Sequence, residues 1–200
     1  QPIYKEGGLA VLYGNLAPQG AIIKQSAASQ HLLSHTGRAV VFANMADLAA
    51  QIDSPNLDVS QDDILVLGQI GPKGAPGMPE AGLIPIPKKL AKQGVKDMVR
   101  ISDGRMSGTA AGTIILHVAP ESAVGGPLSL VRTGDQIQLD VATRQLNMLV
   151  SDQELERRRA EQPAASSAEL RGYEKLFYDH VLQAPDGVDF DFLQAKKDGH

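Results

Sequence analysis

The stretch QIQLDVATRQLNMLV, residues 136–150, carries the clearest structural signal in the sequence. Every second residue from Ile137 to Val141 is apolar and the residues between them are polar, which is typical of a strand with one buried face. A similar run begins after a short polar turn, so the two runs predict an antiparallel hairpin. The predicted strands of this hairpin cover 136–141 and 145–150.

The sequence on the amino-terminal side of the hairpin has the same character. Short apolar runs are broken by Gly, Pro and Asp, and all but three of the 20 glycines lie before residue 150. Such runs separated by turn residues predict many short strands. The further predicted strands cover 9–13, 21–24, 39–43, 64–67, 98–101 and 113–118.

Helices are fewer and concentrate at the carboxyl-terminal end. Ser151 and Glu154 have the spacing of a capping box, which marks a helix start. The small-residue sequence QPAASS at 162–167 predicts a break before the last helix. The fold class is therefore α+β, with a strand-rich domain over 1–150 and a helical extension over 151–200 packed on it. The predicted helices cover 45–52, 88–93, 152–161 and 169–182.

Composition excludes several classes of function. With 19 Lys and Arg against 23 Asp and Glu, a net charge of −4 argues against nucleic acid as a partner. The longest apolar runs have four or five residues, far short of the roughly 20 that span a membrane. There is no cysteine and no signal-peptide pattern, so we expect a cytoplasmic protein without thiolate-held metals.

The first candidate site segment is the loop GPKGAPGMPE, residues 71–80, which follows a predicted strand. Its glycine spacing matches neither a dinucleotide-binding loop nor a Walker A loop. Its prolines restrict the backbone while its glycines allow close approach, so the loop is either a structural turn or a device that fixes Glu80. A carboxylate suits Mg²⁺, although one carboxylate does not make a magnesium site.

The second candidate segment is ISDGRMSGTAAG, residues 101–112. A serine hydroxyl acts as a base or nucleophile only when a neighbouring base or metal ion activates it. This segment contains no histidine. Ser107 is therefore either inert or activated by a metal ion that other residues hold.

Both loops, together with GNLAPQGA at 14–21 and GGPL at 125–128, resemble the C-terminal domain of the dihydroxy-acid and sugar-acid dehydratase family. The version MSGTA at 106–110 and the carboxyl-terminal sequence are most similar to pentonate dehydratases that act on arabinonate or xylonate. GQI at 68–70 departs from the family pattern, and Gly104 is the form typical of the branched-chain enzymes.

This resemblance implies a β-barrel-like domain with flanking helices, similar to the swivelling domain of aconitase-type enzymes. It also implies an N-terminal domain, absent from this chain, that carries the cysteines of an iron–sulfur cluster and most Mg²⁺ ligands, including a carbamylated lysine. We therefore expect no cofactor bound to this chain alone. The full-length enzyme is expected to be a homo-oligomer.

The reaction that the resemblance implies is removal of water from a 2,3-dihydroxy sugar acid to give a 2-keto-3-deoxy acid. Ser107 would be the alkoxide base that takes the C2 proton, and Glu80 would be the magnesium ligand from this domain. A cluster iron would bind the departing hydroxyl. Thr109 would bind a substrate oxygen, while Asp103 and Arg105 would support the loop.

Two alternatives stay open. The first is a branched-chain dihydroxy-acid dehydratase of valine and isoleucine biosynthesis, although that group usually carries Phe where Met106 stands and Gly where Thr109 stands. The second is a free-standing small-molecule-binding barrel. In the leading interpretation, the isolated chain is an inactive part of a hydro-lyase.

Overall fold

A computed structural model describes residues 7–162 and 170–194 of the chain. Within them, eight short strands form one continuous sheet. The strands are β1 Ala10–Leu12, β2 Gly20–Ile23, β3 Ser34–Phe42, β4 Ile64–Leu67, β5 Arg100–Ser102, β6 Ile114–Ala119, β7 Gln136–Asp140 and β8 Gln145–Met148.

The strand order is β1-β2-β6-β5-β4-β3-β7-β8, and the sheet curls into a nearly closed barrel. Strands β3, β4, β5 and β6 run parallel in its centre, while the outer pairs are antiparallel. Tyr13, just after β1, brings the two ends of the sheet together. Its N–H donates to the carbonyl of Arg144 at 2.9 Å, and its carbonyl accepts from Leu146 at 2.8 Å.

Four α-helices flank the sheet in the described residues. Two of them have an N-cap residue whose side chain accepts a backbone hydrogen bond: Asn44 caps the first helix and Ser151 caps the third. The Ser151 hydroxyl accepts from the Glu154 N–H at 3.3 Å, as the capping-box spacing predicts. The helices are α1 Met45–Gln51, α2 Lys88–Lys92, α3 Asp152–Glu161 and α4 Gly172–His180.

Successive residues of the central strands enter two different cores. All four residues of β4 are buried, as expected for a parallel strand covered on both faces. Ile64 and Val66 join the cluster inside the barrel. Leu65 and Leu67 join a second cluster with apolar residues of α1 and α2. Burial on both faces makes β4 a rigid support for the loop that follows it.

The predicted α+β, barrel-like fold is confirmed, and each predicted strand and helix has a counterpart. Strand β3 starts at Ser34, earlier than predicted, because its first half pairs with β7 while its second half pairs with β4. Strand β5 starts two residues later than predicted. Residue 169 and most of the predicted break at 162–167 lie outside the described residues. The division at residue 150 stays a prediction.

The parallel centre of the sheet decides where the loops meet. Because β4, β5 and β6 run in the same direction, the segments that leave their carboxyl ends emerge at one edge of the barrel. Each helix in the described part of the chain is too short or too polar to cross a lipid bilayer.

Candidate active site

Both candidate segments leave the same edge of the barrel. The loop that ends in Glu80 follows β4, and the loop that carries Ser107 follows the neighbouring strand β5. The segment after β6, which begins at Pro120, joins them at this edge. Segments far apart in the sequence are therefore adjacent in the fold.

Asp103 joins the beginnings of these three segments. It is 1% exposed, and its carboxylate accepts from the Ile70 N–H at 3.1 Å and the Ser122 N–H at 2.9 Å. The Ser122 hydroxyl also donates to Asp103 and accepts from the Gln69 N–H at 2.7 Å. Burial raises the pKa of Asp103 above its ordinary value. One carboxylate thus fixes the Glu80 loop relative to the Ser107 loop.

A second buried carboxylate, Glu121, holds the next turn of the Glu80 loop. It is 1% exposed and accepts from the backbone N–H groups of Lys73 and Gly74 at 2.9 Å. Burial raises the pKa of Glu121, and the nearby Asp103 contributes to this rise. A Cβ at Gly71 would lie 2.5 Å from the carboxylate. The close approach of loop and carboxylate therefore requires glycine at this position.

Arg105 joins the far end of the Glu80 loop to the Ser107 loop. Its Nε donates to the Met78 carbonyl at 2.5 Å, and its Nη1 lies 3.4 Å from Glu80 Oε1. Its own carbonyl accepts from the Gly82 N–H at 2.7 Å. Asp103 and Arg105 therefore bind different partners, although the sequence places them as neighbouring opposite charges.

Ser107 and Thr109 form a pair of hydroxyls at the tip of their loop. Their side-chain oxygens lie 3.0 Å apart, and the Thr109 N–H donates to Ser107 Oγ at 3.4 Å. Lys24 supports the tip because its ammonium donates to the Gly108 carbonyl at 2.6 Å. Thr109 and Glu80 are exposed, and Ser107 is half-buried. The polar tips therefore face outward, whereas the bases of both loops are buried.

His117 lies close to this junction. Its backbone is in the left-handed region, with φ of 54°, and its N–H donates to the Gly104 carbonyl at 3.1 Å. Burial lowers the pKa of His117, and the charge of Arg105 lowers it further. Both effects favour the neutral form of the imidazole.

The donor set fits one part of a magnesium site. Glu80 offers a hard carboxylate oxygen of the kind that Mg²⁺ prefers, and Ser107 and Thr109 offer hydroxyl oxygens on the neighbouring loop. Within 7–162 and 170–194, no group of three or more His, Asp or Glu side chains is arranged to hold a metal ion. The chain also has no cysteine, so it does not supply the thiolates that hold iron–sulfur clusters.

Sequence reasoning named the side chains at the loop tips and one buried support, Asp103, but missed two further buried partners. It named Glu80, Ser107 and Thr109, but gave no role to Glu121 or Ser122. Nothing near these last two in the sequence marks them as partners of the loops. Only the parallel pairing of β5 and β6 brings them to the edge.

Comparison with known proteins agrees with this architecture. The sequence model of the dihydroxy-acid/6-phosphogluconate dehydratase C-terminal family matches residues 1–188. The chain belongs to this family. The family membership that the loop motifs predict is therefore confirmed. As a dehydratase C-terminal domain, the chain has relatives named for sugar acids and relatives named for dihydroxy acids.

The 6-deoxy-6-sulfo-D-gluconate dehydratase of Pseudomonas putida is 56% identical over 187 residues, which is 94% of this chain and 32% of that protein. The L-arabinonate dehydratase of Rhizobium leguminosarum bv. trifolii is 53% identical over 189 residues, which is 94% of this chain and 33% of that protein. The dihydroxy-acid dehydratase of Syntrophobacter fumaroxidans is 42% identical over 189 residues, again 94% of this chain and 33% of that protein. The dehydratase domain thus spans about a third of the length of these curated relatives.

Proposed function

We propose that this chain is the C-terminal domain of a hydro-lyase that converts a 2,3-dihydroxy sugar acid into a 2-keto-3-deoxy acid. Ser107 serves as the base, Glu80 is one magnesium ligand, and Thr109 binds a substrate oxygen. Asp103 and Arg105 support the two loops. The rest of the site comes from another part of a longer polypeptide.

One observation carries this proposal. The carboxylate of Glu80 lies 3.4 Å from the guanidinium of Arg105, which is two residues before Ser107 in the neighbouring loop. A metal ligand and a hydroxyl thus share one open edge of the barrel, held from below by buried side chains. This is the arrangement that a half-site needs if a second domain covers it.

The residues of this chain divide the chemistry between them. Deprotonated Ser107 Oγ accepts the C2 proton, the C3–O bond breaks, and the departing hydroxide takes up that proton from Ser107 to leave as water, which restores the deprotonated serine. The resulting enol loses its O–H proton and gains a proton at C3, which gives the 2-keto group. Thr109 Oγ1, 3.0 Å from Ser107 Oγ, orients the base and a substrate oxygen. When bound, Mg²⁺ supplies charge that stabilises the deprotonated Ser107 and the substrate carboxylate.

An iron–sulfur cluster does not fit the residues of this chain, because thiolate ligands are absent. We therefore derive no step through a cluster in this domain. In the full-length enzyme the cluster ligands would belong to the remaining part of the polypeptide, and the isolated chain would be inactive. We further propose a cytoplasmic homo-oligomer that binds neither nucleic acid nor membrane.

The substrate class is tested by assaying the full-length enzyme with arabinonate, xylonate and dihydroxyisovalerate. The 53% identity to an L-arabinonate dehydratase supports a sugar acid, whereas the dihydroxy-acid dehydratase is 42% identical. We expect turnover to be faster with one of the two pentonates. Preference for dihydroxyisovalerate would establish the branched-chain alternative. Full turnover of both substrate classes after removal of Mg²⁺ would contradict the role of Glu80.

A further inference from the structure

Gln183, which follows helix α4, binds one buried residue of the candidate site at two points. Its side-chain oxygen accepts from the Glu121 N–H at 3.0 Å, and its amide nitrogen donates to Glu121 Oε1 at 2.6 Å. The same carboxylate accepts from the backbone of Lys73 and Gly74. Gln183 is therefore connected to the Glu80 loop through a single carboxylate.

The chain around Gln183 fixes its position. The Gln183 carbonyl accepts from the N–H groups of Asp186 at 3.0 Å and Val188 at 3.3 Å. Phe177 of α4 packs edge-on against Phe190, with ring centroids 5.6 Å apart, which holds the two ends of this turn together. Because the backbone is already ordered, binding of Glu121 costs only the rotamer freedom of the glutamine side chain.

A second contact joins the same two parts of the molecule. The ammonium of Lys73 lies 4.9 Å from the centroid of the Tyr178 ring on α4, within the range of a cation–π interaction. Segment 170–194 thus contacts the beginning of the Glu80 loop through a side chain of the loop and through Glu121. Lys73 and Gly74, which bind Tyr178 or Glu121, both lie in the ten-residue stretch that ends at Glu80.

We propose that Gln183 is a positioning residue for the metal-binding loop. It holds the Glu121 carboxylate where that carboxylate receives the amides of Lys73 and Gly74, and the loop thereby presents Glu80 to the metal ion. Without Gln183, the buried carboxylate lacks one N–H donor and is held less firmly against the loop amides. The claim that Gln183 orders the loop stands on these contacts alone. The claim that this order affects Mg²⁺ binding rests on the proposed function of Glu80.

The test uses Gln183→Leu in the full-length protein, with Gln153→Leu as the matched control. Gln153 lies on the exposed face of α3, and its side chain makes no hydrogen bond with the described residues. Amide hydrogen exchange in the peptide covering 71–80 reports the order of the loop independently of activity. Mg²⁺-dependent turnover gives the apparent dissociation constant for Mg²⁺.

We expect Gln183→Leu to raise exchange in this peptide and to weaken apparent Mg²⁺ binding, each by about tenfold, the effect of one lost hydrogen bond to a buried charge. The turnover number at saturating Mg²⁺ should stay close to that of the unsubstituted enzyme. The control should change neither quantity. Combining Gln183→Leu with Glu121→Gln should be non-additive, because both act through one carboxylate.

Unchanged exchange over 71–80 would overturn the inference, and so would raised exchange with unchanged Mg²⁺ affinity. If Gln183→Leu fails to fold, Gln183→Asn replaces it, because it keeps the amide but shortens its reach. If the unsubstituted protein binds no Mg²⁺, the proposed function fails, while the exchange result still decides whether Gln183 holds the loop.

Discussion

Asp103 and Glu121 show how single residues divide the work of this site. Burying a carboxylate is costly unless hydrogen bonds compensate for the lost water, and each of the two accepts backbone N–H groups from the Glu80 loop. In the described residues, no buried side-chain N or O atom lacks a partner. The buried carboxylates therefore hold the loops in place, and the proposed catalytic and metal-binding side chains lie at the loop tips.

At Glu80, replacement by Gln removes the negative charge and keeps the size of the side chain. We expect Glu80→Gln to weaken apparent Mg²⁺ binding in the full-length enzyme by about tenfold or more, because Mg²⁺ binds carboxylates in preference to amides. Stability should change little, since the Arg105–Glu80 pair is half exposed and such pairs contribute little. Titration of activity with Mg²⁺ measures the effect.

The control for this substitution is Glu156→Gln on the exposed face of α3. This substitution makes the same chemical change at a position far from the loops in the sequence. We expect the Mg²⁺ dependence of its activity to equal that of the unsubstituted enzyme. An equal Mg²⁺ dependence in the Glu80 and Glu156 variants would remove Glu80 from the metal site.

At the scale of the elements, the Glu80 loop depends on its close approach to Glu121. In Gly71→Ala the new Cβ would lie 2.5 Å from the carboxylate, so the loop must shift. We expect a cost of about 2 kcal/mol and a fall in melting temperature of about 5 °C. Thermal unfolding of the 200-residue chain measures this, with Gly7→Ala as a control, since a Cβ at Gly7 meets no atom within 4 Å.

Equal melting temperatures of the Gly71 and Gly7 variants would show that the loop accommodates a Cβ. In that case the close packing of the loop against Glu121 would not be required for folding. Loss of Mg²⁺-dependent activity in the Gly71 variant alone would then be attributed to the loop's position.

One buried ion pair helps to hold helix α3 on the barrel. Arg158 donates to Asp135 at 2.6 and 3.0 Å and to the Leu130 carbonyl at 2.9 Å. Its side chain and that of Asp135 are 9% and 10% exposed. We expect Arg158→Leu to lower the free energy of unfolding by about 3 kcal/mol, because it leaves a buried carboxylate without its cation. Urea denaturation measures the change.

Arg157→Leu on the same helix is the matched control. Arg157 binds Glu154 and Glu161 at the exposed surface, where an ion pair contributes roughly 1 kcal/mol at most. If both variants lost the same stability, burial of the Arg158 pair would not be the cause.

The sequence predicted the elements well because their signals are local. The alternation of apolar and polar residues in 136–141 and the apolar run at 64–67 are recognised from those segments alone, without knowledge of the strands beside them. The extended start of β3 was missed because Ser34 to Arg38 are held by pairing with β7. Glu121 and Gln183 were missed for a similar reason: they contact the Glu80 loop only after the barrel has formed. The motifs named the residues at the loop tips and two supports, Asp103 and Arg105, whereas the supports Glu121 and Gln183 became visible only in the fold.

At the scale of the whole molecule, the barrel would present one part of the proposed active site at one edge. The parallel strands β4, β5 and β6 deliver three segments to that edge, and the chain spans about a third of its relatives' length. The donor set at the edge is correspondingly incomplete, with one carboxylate and two hydroxyls. In the proposed function, a second domain therefore completes the site.

The most direct measurement is turnover of arabinonate and xylonate by the full-length enzyme carrying Ser107→Ala, compared with Ser34→Ala. Ser34 is an exposed serine at the start of β3. We expect Ser107→Ala to reduce turnover by at least about a thousandfold, within the range seen for loss of a catalytic base, while the fold and the Mg²⁺ affinity persist. Turnover within a few-fold of the Ser34 variant would contradict this expectation.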